Sequence, residues 1–212
     1  MNPVRISYLE AKKLVGEKAN EIDIFCDFWT DFYKDSGFFY LYEQTTNLSF
    51  LNLEFGFYDF DSDLVGLIFC KDLIAENIFT ESNDEGTNLI VLGSVFAKKI
   101  ALGGQEIFID GSLIIENFFM GSYNHGSLSI KNNFNCPIII KDDYEIKVGN
   151  KLVGNVYSWE IKNWEMGIFL KKKGRFTEFL PIEQLKIHFD SSYFDKDDNI
   201  DFYKVSKSLH PK

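Results

Sequence analysis

Cysteine, histidine, basic residues and long apolar runs are all scarce in this chain. Cys26, Cys70 and Cys136 are too few and too scattered for a disulfide framework or a Cys-x-x-Cys metal site. No stretch reaches the roughly 20 apolar residues of a membrane-spanning helix, and the opening MNPVRISYLEAKKLVGEK has no signal-like apolar core. Together these absences predict a reduced, cytoplasmic protein. Lysine and arginine number 22 against 32 acids, a formal net charge of −10. An acidic chain repels phosphate backbones, so nucleic acid is not an expected partner, whereas a basic protein is compatible with the charge. No Gly-x-Ser-x-Gly elbow, phosphate loop or dinucleotide fingerprint is present.

Aromatic residues, in contrast, are abundant. The 22 phenylalanines and 10 tyrosines favour strands, and 212 residues suffice for one domain with a real core. The stretch LIVLGSVFAKKIAL (89–102) is followed at 107–120 by IFIDGSLIIENFFM, and the likeness extends to five units. Their reference positions are Leu73, Val95, Leu113, Phe134 and Leu152, spaced 22, 18, 21 and 18 residues apart. Four residues before each lies Phe69, Val91, Ile109, Ile130 or Val148, and six before lies Leu67, Leu89, Ile107, Leu128 or Ile146. Two residues after come Ala75, Ala97, Ile115, Cys136 and Gly154; five after, in the first four units, come Ile78, Ile100, Phe118 and Ile139.

Apolar residues two apart share one face of a strand. Two before the reference lie Lys71, Gly93, Gly111, Asn132 and Asn150, and the Gly or Asn there supplies a left-handed or permissive backbone at a corner. A unit of about 20 residues and varying length is a solenoid signature. The expected fold is therefore mainly β, a parallel β-helix of about 18–22-residue coils. Each coil carries three short strands, giving three parallel sheets around an apolar interior, with handedness left open.

Open sheet edges at the ends would template aggregation, so the flanks are read as covers. Ser7 and Glu10 form a capping box ahead of Leu9, Leu14 and Val15, and Phe25, Phe28, Trp29 and Phe32 sit at helical spacing as packing faces. The repeat stops after 157; strands around a Lys-Gly-Arg turn follow, then a short helix after Pro181 and a last helix capped by Asp201. The division is a mainly helical N-terminal cap at 1–48, the β-helix at 49–157, and a strand and helix cap at 158–212, forming one structural unit.

No catalytic residue, metal ligand or cofactor is expected. The acidic DKDDN at 195–199 departs from a calcium loop, because Ile200 and Ser206 stand where it needs Gly and Glu. His125, in GSYNHGS, is one coil from Asp142 and Asp143, a spacing that would suit an acid/base pair or half a metal site but equally a hydrogen-bonded turn. Stacking the coils gathers Glu81, Asp84 and Glu85, then Tyr123, Asn124 and His125, then Asp142, Asp143 and Tyr144, on one corner. These nine are the candidate partner-binding residues: tyrosines among carboxylates on a rigid ridge.

The rhythm of the two quoted stretches, with YNHGSLSI (123–130) and IIIKDDYEI (138–146), resembles the polymer-forming, bactofilin-like β-helix proteins. Within them it is similar to a bacterial branch whose genes neighbour polymorphic toxins. The resemblance covers about residues 50–157. It implies a non-enzymatic role as an immunity protein that binds and neutralises a cognate toxin, here a basic toxin domain, with a bactofilin-like structural scaffold as the alternative. The large structured ends depart from bactofilins and point to a monomer or small oligomer.

Overall fold

A computed structural model describes residues 2–54, 63–84, 86–123, 125–158, 168–170 and 178–211. The chain opens with β1 (Val4–Ser7) and α1 (Tyr8–Val15). The Ser7 backbone N–H donates to the Glu10 carboxylate at 2.8 Å while the Glu10 N–H donates to Ser7 Oγ at 3.3 Å, so the capping box forms. Two short 3₁₀ turns lead to α2 (Asp27–Tyr33). The solenoid follows. Its strands come in pairs: β2 (Phe38–Tyr42) and β3 (Thr46–Asn52), β4 (Leu64–Phe69) and β5 (Leu73–Phe79), β6 (Asn88–Val91) and β7 (Val95–Leu102). Next are β8 (Glu106–Ile109) and β9 (Leu113–Ser122), β10 (Ser127–Ile130) and β11 (Phe134–Asp142), β12 (Glu145–Val148) and β13 (Leu152–Ser158). The last pair is β14 (Ile168–Leu170) and β15 (Glu178–Pro181), and α3 (Phe202–Lys207) lies near the C-terminus, capped by Asp201.

Even-numbered strands from β2 to β14 form one parallel sheet, to whose β2 edge β1 adds antiparallel; odd-numbered strands from β3 to β15 form a second parallel sheet. The repeat register holds residue for residue. Leu73, Val95, Leu113, Phe134 and Leu152 pair in one row, each at most 1% exposed. The columns four and six residues earlier pair likewise and fill the same interior. The architecture is thus the parallel β-solenoid expected from the repeat.

Four details differ from expectation. There are two sheets rather than three, because each coil's second and third apolar runs are one strand, irregular in register near Ala97–Lys99 and Asn135–Ile138. At that irregularity β9 carries one residue more than its neighbours. Phe119, not Phe118, therefore pairs with Ile100 and Ile139 inside, while Phe118 packs outside against the C-terminal segment. Gly93 and Gly111 are not at positive φ. Their small size matters instead, since a Cβ on Gly111 would lie 2.5 Å from the Gly93 carbonyl oxygen. Finally, the two strands expected around the Lys-Gly-Arg turn are present, although the turn lies outside the described residues; β14 and β15 each add a parallel strand to a different sheet, so the ladder continues past 157, just as it begins at β2, before residue 49. Ile168 and Leu170 keep the apolar pair, but the Lys171–Arg175 run hides the rest of that coil's signature.

The flanks fold onto the outside of the solenoid. Tyr8, Ala11, Val15 and Phe25 cover the outward faces of Phe39, Leu41, Ile68, Ile90 and Phe108. Leu185, Phe194, Phe202, Val205 and Leu209 cover Phe79, Ala101, Met120 and Ile140. Trp29 and Tyr33 of α2 pack partly buried against the first cover, but Phe28 and Phe32 are 70% and 67% exposed, and Leu9 and Leu14 also face outward: α1 buries one stripe and α2 only half-buries one. Among the described residues no helix is long and apolar enough to cross a membrane.

Candidate functional site: an acidic corner

The register brings Glu81, Asp84, Tyr123, His125, Asp142 and Asp143, six of the nine proposed residues, to one corner, where each odd-numbered strand ends and the next even-numbered strand begins. Ser122 pairs with Asp142, and Gly121 pairs with both Lys141 and Leu102. Successive coils therefore present residues 81–84, 103–105, 122–123 with 125–126, and 142–143 there. The second coil is bare: a Cβ on Gly104 would lie 2.3 Å from the Asp84 carbonyl oxygen, so the backbone of one coil lies directly on the next.

The top of the corner is held by Glu54. Its carboxylate accepts from Thr80 Oγ1 at 2.7 Å and from the Glu81 and Ser82 N–H groups at 2.8 Å each. Glu81 is exposed and accepts from Asn52 Nδ2 at 3.1 Å. Asp84 accepts from the Tyr123 hydroxyl, and this bond to a carboxylate raises the tyrosine's pKa above its ordinary value. Tyr123 has φ of 117°, a region side chains rarely adopt. Its N–H donates to the Asp142 carbonyl at 3.0 Å, its own carbonyl accepts from Gly126 at 3.1 Å, and its ring meets His125 edge-on with centroids 5.2 Å apart. Asp142 accepts from Ser122 Oγ at 3.1 Å, and exposed Asp143 has φ of 48°.

Tyr144 does not belong to this surface. It is 1% exposed and points into the solenoid, with its ring 5.9 Å from Phe119 and its hydroxyl 3.5 Å from the Gln105 carbonyl. Gly121 and Gly126 make room for it, since a Cβ on either would lie 2.6 or 2.2 Å from the ring. Burial raises its pKa far above the ordinary tyrosine range. The cause is parity: Tyr144 lies two residues before Ile146 and four before Val148, on the inward face of the strand that follows. Glu85 and Asn124 lie outside the described residues.

Sequence reasoning missed the contribution of the C-terminal helix. Tyr203 donates to Asn83 Oδ1 at 2.9 Å, and His210 Nε2 lies 3.8 Å from Glu81 Oε1. Glu81, Tyr203, Ser206, Lys207 and His210 enclose a cavity of about 220 Å³ beside the corner. The Asp201 cap announces this helix, but nothing local announces where it docks. Among the described residues no group of three or more His, Cys, Asp or Glu side chains is placed to hold a metal.

The class defined by this geometry is a parallel β-solenoid whose two flanks fold back onto its outer faces. No family model, no curated protein and no solved structure matches the chain.

Proposed function

We propose that the chain is a non-enzymatic binding protein, an immunity protein that neutralises a basic toxin domain by docking it on the acidic corner. The observation that carries this reading is Tyr123. A non-glycine residue at φ of 117° costs on the order of 1–3 kcal/mol, and such strain persists where the surroundings hold a side chain in place for use. Here the surroundings are the Asp84 carboxylate, the Asp142 backbone carbonyl and the Gly126 N–H, and the residue they hold is an aromatic whose hydroxyl meets a carboxylate. Backbone stacking fixes the corner, so little entropy is lost on docking. The net charge of −10 steers a basic partner toward it.

The test is whether the chain protects cells from any toxin encoded beside its gene, together with binding rates for that toxin. Asp84→Lys should slow association by about tenfold at low salt, with a smaller effect as salt rises. Tyr123→Ala should speed dissociation by about tenfold or more. Parent-like protection and rates in both variants would remove the corner from the interface.

A further inference from the structure

The two flanks cover most of the solenoid's outward apolar side chains but leave one row bare. Ile74, Phe96 and Ile114 pair in register near the starts of β5, β7 and β9, and they are 40%, 38% and 36% exposed. The row is bounded along the stack by Asn47 on one side and Asn135 on the other. A solvated wall would carry polar residues throughout; this one is apolar over three successive coils, with an asparagine on either side and Val153 one coil past Asn135. The surface is also concave. A cavity of about 450 Å³ runs over the row, and a second of about 400 Å³, sharing Glu116 with it, continues to a wall made by Phe189 and Tyr193.

A charged row lies alongside. Lys98 Nζ pairs with Glu76 Oε1 at 2.5 Å, and the charge of Glu116 also raises the Lys98 pKa, but among the described residues no cation lies within salt-bridge distance of Glu116. We propose that this groove docks an amphipathic helix of a partner protein, its apolar stripe on Ile74, Phe96 and Ile114 and a lysine or arginine on its flank at Glu116. Spacing selects the helix. Coils about 4.8 Å apart put Ile74 and Ile114 about 10 Å apart along the stack. Helix positions i and i+7 are about 10.5 Å apart, with i+3 or i+4 between them. An extended peptide along the same line would repeat its faces every ~6.6 Å and fall out of phase. A second copy of this chain is disfavoured, because each copy carries −10 and would bring its own Glu116. The groove lies near the starts of the strands whose ends form the acidic corner, and the proposal does not rest on the toxin reading.

The probe is a synthetic helix of about four turns with leucines at i, i+3, i+4 and i+7 and lysines on its flanks, titrated against the full chain by fluorescence anisotropy. The control has the same composition in a scrambled order that breaks the stripe. The striped peptide should bind at least about tenfold tighter than the scrambled one. Phe96→Ser and Glu116→Lys should each weaken it by about tenfold, with melting temperatures close to the parent's, since both side chains face solvent. Equal binding of the two peptides, or parent-like binding by Phe96→Ser, would overturn the proposal. So would a parent dimer in sedimentation that Phe96→Ser dissociates, which would assign the face to a second copy.

Discussion

At the residue scale, Glu106 joins the N-terminal segment to the solenoid. Its carboxylate accepts from the Asp23 and Ile24 N–H groups at 2.6 and 2.7 Å. Burial pushes its pKa up to about 7, with Asp23 raising it further and the two N–H bonds and Lys147 opposing. From about pH 4.5 to about 7 the folded chain therefore holds more protons at this site than the unfolded chain. Its contribution is fully present below about pH 4.5 and is lost as pH rises through about 7, amounting to about 3 kcal/mol. Urea unfolding should show the parent losing stability across this range, and Glu106→Gln should flatten that dependence. An unchanged slope in the variant would place its source elsewhere. Tyr144 carries a second lesson at this scale. Its inward direction was legible, because it extends the alternation of Ile146 and Val148, yet a tyrosine beside Asp142 and Asp143 reads as surface when composition is weighed before parity. Tyr144→Ala should cost about 3–5 kcal/mol by thermal melt, so it reports on the core and not on docking.

At the element scale, what was legible is what the interior dictates. The pairs Leu67/Phe69 through Ile146/Val148 repeat because stacked coils must fill one apolar column, and those columns pair as the spacing implies. The extra residue in β9 was not legible. Phe118 and Phe119 are both apolar, so the sequence offers two registers, and only the cover supplied by Phe189 makes Phe118 the outward one. The continuous apolar runs of β4, β6 and β8, against the alternation of β10 and β12, do encode where the N-terminal cover ends. Ile68, Ile90 and Phe108 lie beneath it, whereas Ser129 and Lys147 occupy the equivalent positions beyond it. Two substitutions separate the kinds of local constraint. Ser7→Ala removes one member of the α1 capping box and should lower stability by about 1 kcal/mol. Gly154→Ala should cost well over about 1 kcal/mol, because Gly154 has φ of 150° and a Cβ there would lie 1.7 Å from the Cys136 carbonyl oxygen. A mild melting change for Gly154→Ala would mean that β11 and β13 can part without loss.

At the scale of the whole molecule, a solenoid is an open stack that its own ends could extend. The backbone groups along a terminal strand are unpaired, and bare outward faces add apolar area to any contact between copies. The flanking segments act on both. β1 pairs antiparallel with β2, occupying the first edge of one sheet with a strand whose direction breaks the parallel repeat. Tyr8, Ala11, Val15 and Phe25 bury Phe39, Leu41, Ile68, Ile90 and Phe108, faces that would otherwise meet water or another copy. Glu106 and the ion pair between Lys131 and Glu21 pin this cover down the side of the stack. The full chain should therefore remain a monomer or small oligomer in sedimentation and show no filaments by electron microscopy. Deleting the residues before Phe38 should expose the β2 edge and the apolar face together, and the shortened chain should form filaments or aggregates at concentrations where the full chain does not. Should the shortened chain stay monomeric and folded, the cover would not be what limits assembly. Filaments formed by the full chain would favour the scaffold reading over the binding protein.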